Sequence, residues 1–584
     1  MYNYRSERQI NIIFVLNMFH NIQYQPSENA LRVLIKGNIL APGESPQEMF
    51  ERVVNTLFSV EESFGIAKNE TEKAKEDFAA FMAAKMYTPG TPTLTNAGRA
   101  GYEDAALSSC AIIPVDLRKR QASKKLIKAY YRQNMGSGFD LTPYKNPVEL
   151  LLWLNSLSVH ETKTGAYDRY IGNMANLHVT HPEIRKFVGL KRTHALAHFN
   201  CSVVIDDKFM DAAVSDRSSN SCKLLMDIAE SAWHIGDPSI INLERMNRDN
   251  PVSDLAPYTS APPCAEMGLS VGETCQFVYV NISKFCTPKG INYTFLDKVI
   301  RVVTRALDNA VEYGATRYPD KESTRIAKLK RKIGIAVSGI ADTLLYYDIP
   351  YASVGARTLV RDVVSFMNYV SKCASVDLAK QRGPCEAMKH KDKNKYFKGY
   401  LKNRYNFSTN TVSARDWEKL SDRISETGLL RNIHTLTQPP AARVSLLMDA
   451  SFGIEPIFGI PDSVGNVSKS VRTYVEKYSD NADKILQKAC RDGSFRKTKL
   501  HKHAKECLRT ATEITPSDHI EMTAALVGTG GVIDETASKT VNLAKTATIR
   551  DVYDTFILAH EKGLKNISVY RDGSYEDQPY NLSK

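Results

Sequence analysis

The sequence predicts an α/β fold, a barrel or sheet preceded by a helical front segment, and three observations carry that reading. From Ser27 to Met86 the apolar residues recur at three- and four-residue spacing, the period of one buried helix face. The stretch YTPGTPTLTNAG (residues 87–98) interrupts that pattern with prolines and glycines. Beyond it, short β-like runs alternate with helical stretches.

Taken in order, SENALRVLIKGNI (27–39) reads as a first helix, and residues 45–86 continue the helical segment with Ser45 as its cap. The β-like runs are CAIIPV, FNCSVVI, TCQFVYVNI, RVSLLM, KTVNLA and ISVYRDG. No internal repeat or low-complexity linker divides the chain. The expected organisation is a helical segment at residues 1–86, a catalytic α/β domain at 87–574 and a short tail at 575–584.

Composition narrows the function classes. The 584 residues carry 77 Lys+Arg against 65 Asp+Glu, a formal charge of +12, with 43% hydrophobic and 9% aromatic residues. That is a globular composition, neither disordered nor fibrous. The apolar stretches fall far short of the roughly 20 residues that span a bilayer. The first twenty residues lack a small-residue cleavage site, so the expectation is a cytoplasmic protein. A positive balance suits nucleic acid, a membrane surface or small anionic substrates, and decides nothing alone. The basic stretches Lys389–Lys402 and Phe495–Lys505 read as solvated faces. The second lies between Cys490 and Cys507 and contains His501 and His503, all metal-ligand types, but their spacing matches no common closed zinc site.

Ten cysteines without a CxxC pair exclude a disulfide scaffold and leave catalytic or redox roles, or plain burial. Cys264 follows Pro262 and Pro263 on a rigid loop, two residues before Glu266. Cys275 and Cys110 lie in β-like runs. The three either coincide by chance or combine a redox pair with a third thiol that does radical or nucleophilic work.

The order of segments resembles the catalytic subunit of ribonucleotide reductases from about Ser27 to Ser574. The motifs include TPGTPTLTNAG with LSSC, MGSGFDL, HFNCSVVIDDKFM, GDPSIINLERMN, PPCAE with TCQFVYVNI, RVSLLMDASFGIEPIFG, SKTVNL and GLKNISVYRDGS. The resemblance implies a ten-stranded α/β barrel of two five-stranded halves, with a finger loop carrying Cys264 to its centre. It implies that Cys264 bears a transient thiyl radical, that Glu266 takes the 3′-hydroxyl proton, and that Cys110 and Cys275 supply two electrons and close to a disulfide. It places Thr91, Ser109, Gly136, Pro262 and the run Ala441, Ala442, Arg443, Val444, Ser445 against the substrate, the last through backbone amides facing phosphates. It assigns Asp116 and Arg169 to an effector site for a deoxynucleoside triphosphate. No metal ion is expected. Relatives that borrow a radical from a metal-containing subunit carry two adjacent tyrosines near the end of the barrel. Here Tyr570 stands alone, as in the adenosylcobalamin-dependent class.

The chain departs from the family pattern at Pro262, where Asn is usual, at Ala265, where Gly is usual in this class, and at Arg443 in the phosphate loop. The first effector loop is short, although residues 164–173 resemble the second. The last residues, GSYEDQPYNLSK, carry no cysteine, so the expectation is an external dithiol or a thioredoxin-like reductant; the few residues before Ser27 give no expectation of an ATP-cone. A homodimer is expected, with no membrane and no nucleic-acid partner. The expected activity is reduction of ribonucleoside di- or triphosphates for DNA precursor synthesis. The alternatives are a subunit needing a separate radical protein and a catalytically dead nucleotide-binding relative.

Overall fold

The computed structural model describes residues 22–165, 171–194, 196–461 and 465–574. Helices Glu28–Lys36, Pro46–Phe58 and Lys68–Ala83 form the front segment. The Ser45 cap is as the sequence predicts, and Ser27 caps the first helix in the same way. Ser27 accepts from the Ala30 amide at 3.2 Å, and Ser45 forms a capping box with Glu48, followed by Pro46 in the first turn, where its missing N–H costs nothing. The segment packs on the long helix Tyr293–Ala315, which packs in turn on Val354–Arg382. Buried Glu61 ties them together, paired with Arg305 at 2.6 Å and Arg382 at 2.8 Å.

Strands are numbered in chain order: β1 Tyr87–Pro89, β2 Cys110–Ile112, β3 Gly136–Asp140, β4 Asn173–His178, β5 Phe199–Val204, β6 Ser239–Ile241, β7 Thr274–Cys275, β8 Phe277–Asn281, β9 Cys286–Thr287, β10 Gly290–Ile291, β11 Gly334–Ser338, β12 Thr540–Leu543 and β13 Asn566–Arg571. Strands β2 to β6 pair successively in parallel, with a helix crossing between each two.

The other half runs the opposite way. β7 pairs antiparallel with β2, and β8, one residue on, pairs in parallel with β11. Single parallel bridges then join Ile335 to Leu436 and Gln438 to Ala537, and residue 537 leads directly into β12. β12 lies parallel to β13, which returns antiparallel to β6. The ring therefore closes with ten strands in two oppositely directed sets of five, the architecture that the resemblance implies. β1 adds to β8 outside the ring, and β9 with β10 forms a small hairpin.

The RVSLLM run is an exception to the strand reading, because Ala442–Leu447 is a helix. A six-residue apolar run serves equally as a buried strand or a buried helical turn, and here Val444 and Leu447 bury from one helical face. In the basic stretch, Tyr396, Tyr400 and Leu401 are buried while Lys389, Lys391, Lys393 and Lys398 remain exposed, a solvated face. Among the described residues no helix is long and apolar enough to cross a membrane.

Candidate active site

A finger loop enters the ring between β6 and β7 as a narrow hairpin, tied at its base by an antiparallel bridge between Ser260 and Leu269. Two glycines of β3 make room for it. A Cβ at Gly138 would stand 2.4 Å from the Ala261 carbonyl oxygen, and one at Gly136 would stand 2.7 Å from the Gly172 oxygen and 3.1 Å from the Pro263 ring. Gly136 thus has a steric role beside the substrate contact expected of it. At the tip, the Ala265 amide donates to the Pro262 carbonyl at 2.8 Å, a tight turn that puts Ala265 at φ 54°. That is the left-handed region where glycine is favoured, so the alanine is strained where the family uses Gly.

Cys264 is the exposed residue of this tip, and it lines two cavities. One, of about 390 Å³, is walled by Thr91, Ser109, Cys110, Gly136, Glu266 and Arg443. The other, of about 510 Å³, is walled by Phe452, Phe458, Gln438, Asn542, Ser568 and Tyr570. The tip is held by Asn200 of β5, whose amide donates to the Pro263 carbonyl at 2.8 Å, and by Asn566 of β13, which donates to the Ala265 carbonyl at 3.1 Å.

The pairing of β2 with β7 sets Cys110 directly opposite Cys275. Their sulfurs and a carboxylate oxygen of Glu266 lie within 4.8 Å of one another, all three residues buried and both thiols free. Burial, then the neighbouring Cys110 and the Glu266 charge, push the Cys275 thiol well above the ordinary thiol range, so it stays protonated at neutral pH. The Glu266 carbonyl is pinned by the Thr437 hydroxyl and by the Thr536 amide.

The phosphate-loop residues divide. Ala441 lines the larger cavity, Arg443 and Val444 the smaller, and Ala442 both. The first-turn amides of helix Ala442–Leu447 have no acceptor within the helix. Ser445 lines neither cavity, because its hydroxyl is bonded to Ser338. Pro262, expected against the substrate, is buried and lines neither cavity. Asp116 pairs with Arg118 at 2.8 Å on the surface, away from both cavities, and Arg169 lies outside the described residues.

Behind the finger sits a buried ionic cluster that the sequence reading missed. Glu535 accepts from Tyr258 at 2.7 Å and from the Gly268 amide at 3.2 Å, and its oxygen lies 2.5 Å from His434 Nδ1. Lys332 donates to the Gly268 carbonyl at 2.6 Å and pairs with both Glu535 and Glu273 at 3.2 Å. Burial pushes the Glu535 carboxyl up, but Lys332 and His434 prevail and hold it well below the usual range. Burial draws Lys330, beside Glu273, down to about 8. Lys332 and Glu535 are 203 residues apart, so no local pattern in the chain could pair them.

An exposed thiol facing two cavities at the centre of a ten-stranded α/β barrel, with a dithiol pair and a carboxylate on one side, supplies the groups that thiol–disulfide redox chemistry needs. Comparison with known proteins agrees. The model for the ribonucleotide reductase barrel domain matches residues 213–570, and that for the all-alpha domain of the same family matches residues 24–102. The chain belongs to the ribonucleotide reductase family. Among curated proteins it is 27% identical over 541 residues to the vitamin B12-dependent ribonucleoside-diphosphate reductase of Thermoplasma acidophilum, covering 85% of this chain and 65% of that protein. It is 26% identical over 581 residues to the enzyme of that name from Mycobacterium tuberculosis (strain ATCC 25618 / H37Rv), covering 92% and 76%. The chain thus spans from just under two thirds to about three quarters of these relatives. Among solved structures, the Actinobacillus ureae class Id ribonucleotide reductase alpha subunit shares the fold with a TM-score of 0.75 at 16% identity, covering 96% of this chain and 99% of that one.

Proposed function

We propose that this chain reduces ribonucleoside di- or triphosphates to 2′-deoxyribonucleotides, using adenosylcobalamin as its radical source. The observation that carries the reading is Cys264, open to both cavities. A relay thiol must meet a radical source on one side and a ribose on the other. The smaller cavity takes the substrate, with Ala442, Arg443 and Val444 toward the phosphates. The larger fits a nucleoside-sized group, since Phe452, Phe458 and Tyr570 offer flat apolar surface and Asn542 and Ser568 offer polar groups. The names of the curated relatives support the same cofactor, and Arg571 beside Tyr570 leaves no tyrosine pair for a relay from a second subunit.

Adenosylcobalamin, when bound, supplies an initiating radical by breaking its cobalt–carbon bond. Cys264 gives up its Sγ hydrogen atom and takes the 3′-hydrogen of the ribose. Glu266 accepts the 3′-hydroxyl proton, which helps the 2′-hydroxyl leave as water. Cys110 and Cys275 supply two electrons and two protons and become a disulfide, and Cys264 returns a hydrogen atom to C3′. Two thiols and a ribonucleotide thus give a disulfide, water and a deoxyribonucleotide. A small dithiol or thioredoxin-like protein reopens the disulfide through the smaller cavity. Asp116 and Arg169 at an effector site, and a homodimer, belong to the same reading.

The test is incubation of the purified chain with a ribonucleotide, adenosylcobalamin and a dithiol. Deoxyribonucleotide should form without any second protein. Turnover only on adding a metal-containing radical subunit would overturn the cofactor assignment, and tight substrate binding with no turnover under either condition would make the chain a dead relative.

A further inference from the structure

Away from the barrel centre, helices Lys469–Tyr478, Ala482–Asp492 and Lys502–Cys507 gather around a small core of their own that includes Tyr474, Val475, Leu486 and Leu508. They meet the barrel at the end of helix Ile340–Tyr346, where the chain turns through Asp348 at φ 59°. At this junction three groups with metal-binding atoms converge. His503 and Cys507 are four residues apart, on one face of helix Lys502–Cys507. Asp348 arrives from 155 residues away in sequence. His503 Nε2 lies 3.1 Å from Asp348 Oδ1, Cys507 Sγ lies 3.7 Å from that nitrogen, and Cys507 Sγ lies 3.8 Å from that oxygen.

Those separations are the edges of a tetrahedron. With bonds of about 2.3 Å to sulfur and about 2.0–2.1 Å to nitrogen and oxygen, tetrahedral ligands stand roughly 3.5 Å apart to sulfur and roughly 3.3 Å apart otherwise. The observed triangle differs from that by a few tenths of an ångström. The carboxylate is already oriented from outside, since Tyr474 donates to Oδ1 at 2.5 Å and Tyr478 donates to Oδ2. Such outer hydrogen bonds fix a ligating carboxylate in place. Cys507 forms the buried floor and His503 the exposed rim, which leaves a fourth position toward water.

We propose that Asp348, His503 and Cys507 bind one zinc-type divalent transition-metal ion, with water as fourth ligand, which clips the 469–507 helices to the barrel. One sulfur, one nitrogen and one oxygen donor suit zinc better than a hard cation such as magnesium or calcium. On binding, the Cys507 thiol loses its proton to solvent, and thiolate plus carboxylate balance the ion's charge. The sequence points to two of the three protein ligands. Of the four metal-ligand types in that segment only His503 and Cys507 take part, because His501 caps the helix through the His503 amide, and Cys490 sits on the neighbouring helix Ala482–Asp492.

The test is titration of the metal-free full chain with Co²⁺, followed by competition with Zn²⁺. Because Cys110, Glu266 and Cys275 form a second group of ligand types, the titration is repeated in the Cys110→Ser/Cys275→Ser chain. One Co²⁺ per chain with thiolate-to-metal charge-transfer absorption is expected in both. The absorption should vanish in Cys507→Ser. Affinity should fall more than about a hundredfold in His503→Ala, beyond the usual loss for an outer partner. If Cys507→Ser does not fold, the exposed His503→Ala variant decides alone, with circular dichroism reporting its fold and zinc expected to raise the melting temperature of the parent but not of the variant. Absence of the absorption in the parent, its survival in folded Cys507→Ser, or undiminished affinity in His503→Ala would overturn the site.

Discussion

The two halves of the barrel are built differently. Strands β2 to β6 are joined by unbroken parallel ladders. In the opposite half, the Leu436–Gln438 stretch is joined to its neighbours by single bridges. Buried charge is concentrated there: Lys330, Lys332, Lys372, Lys539 and Lys565 are all buried, and each is paired, with Glu273, Glu535, Asp534, Glu455 and Asp249 among the partners. Buried backbone groups must find partners, and where the ladder is thin these side chains supply them. The Asp534 carboxylate accepts from the amides of Thr435 and Leu436, and Lys565 donates to the carbonyls of Asp534 and Glu535. The finger loop leans on this half through Gly268, Thr437 and Thr536. One half is therefore held by repetition and the other by a few buried ion pairs, and the finger that carries Cys264 is held from both, by Asn200 of β5 on one side and by Asn566, Thr437 and Thr536 on the other.

The largest stability effect should follow from breaking one of those ions. Lys372→Met leaves Asp534 charged, buried and without its cation, which should cost about 3–5 kcal/mol in urea unfolding. The exposed pair Arg192 with Glu230 in the other half should be worth about 0–1 kcal/mol when removed in the same assay. The same contrast predicts a pH dependence. Burial raises the Asp534 carboxyl, but Lys372 and His434 lower it more, and its folded value lies below the unfolded one. That stability is present above the unfolded aspartate value of about 3.9 and is lost as pH falls below it. Urea midpoints between neutral and acid pH should therefore drop more steeply for the parent than for Asp534→Asn.

A smaller effect tests the ladder half as a wall. Gly138→Ala sets a methyl 2.4 Å from the Ala261 carbonyl oxygen. It should destabilise by about 1–3 kcal/mol and lower turnover by displacing the finger, whereas Pro262→Ala, outside both cavities, should leave turnover within a fewfold of the parent. The smallest effect is a gain. Ala265→Gly relieves the strained backbone at the tip and should stabilise by about 0.5–1 kcal/mol, read as an upward shift in melting temperature.

What could be read from the chain divides between local pattern and contacts made only by folding. The capped front helices and strands β5, β8, β12 and β13 follow from local period and punctuation. The run at 443–448 does not, because so short an apolar stretch has no period to distinguish strand from helix. Cys264, Glu266, Cys110 and Cys275 were legible because their motifs stand in a long collinear series. Asn200 lay inside one of those motifs without a signal of its own. Tyr258, Glu535 and Lys332, like Asp348 beside His503, are partners made by folding alone.

In the proposed reaction Cys264 passes a hydrogen atom between two cavities, while Cys110 and Cys275 only supply electrons afterwards. The most direct measurement follows tritium from the 5′-position of adenosylcobalamin into water, in the presence of substrate or effector, for Cys264→Ser, Cys110→Ser and Cys275→Ser. Exchange should be abolished in the first and retained in the other two, which should fail only at repeated turnover. Equal loss of exchange in all three, or its survival in Cys264→Ser, would contradict the relay.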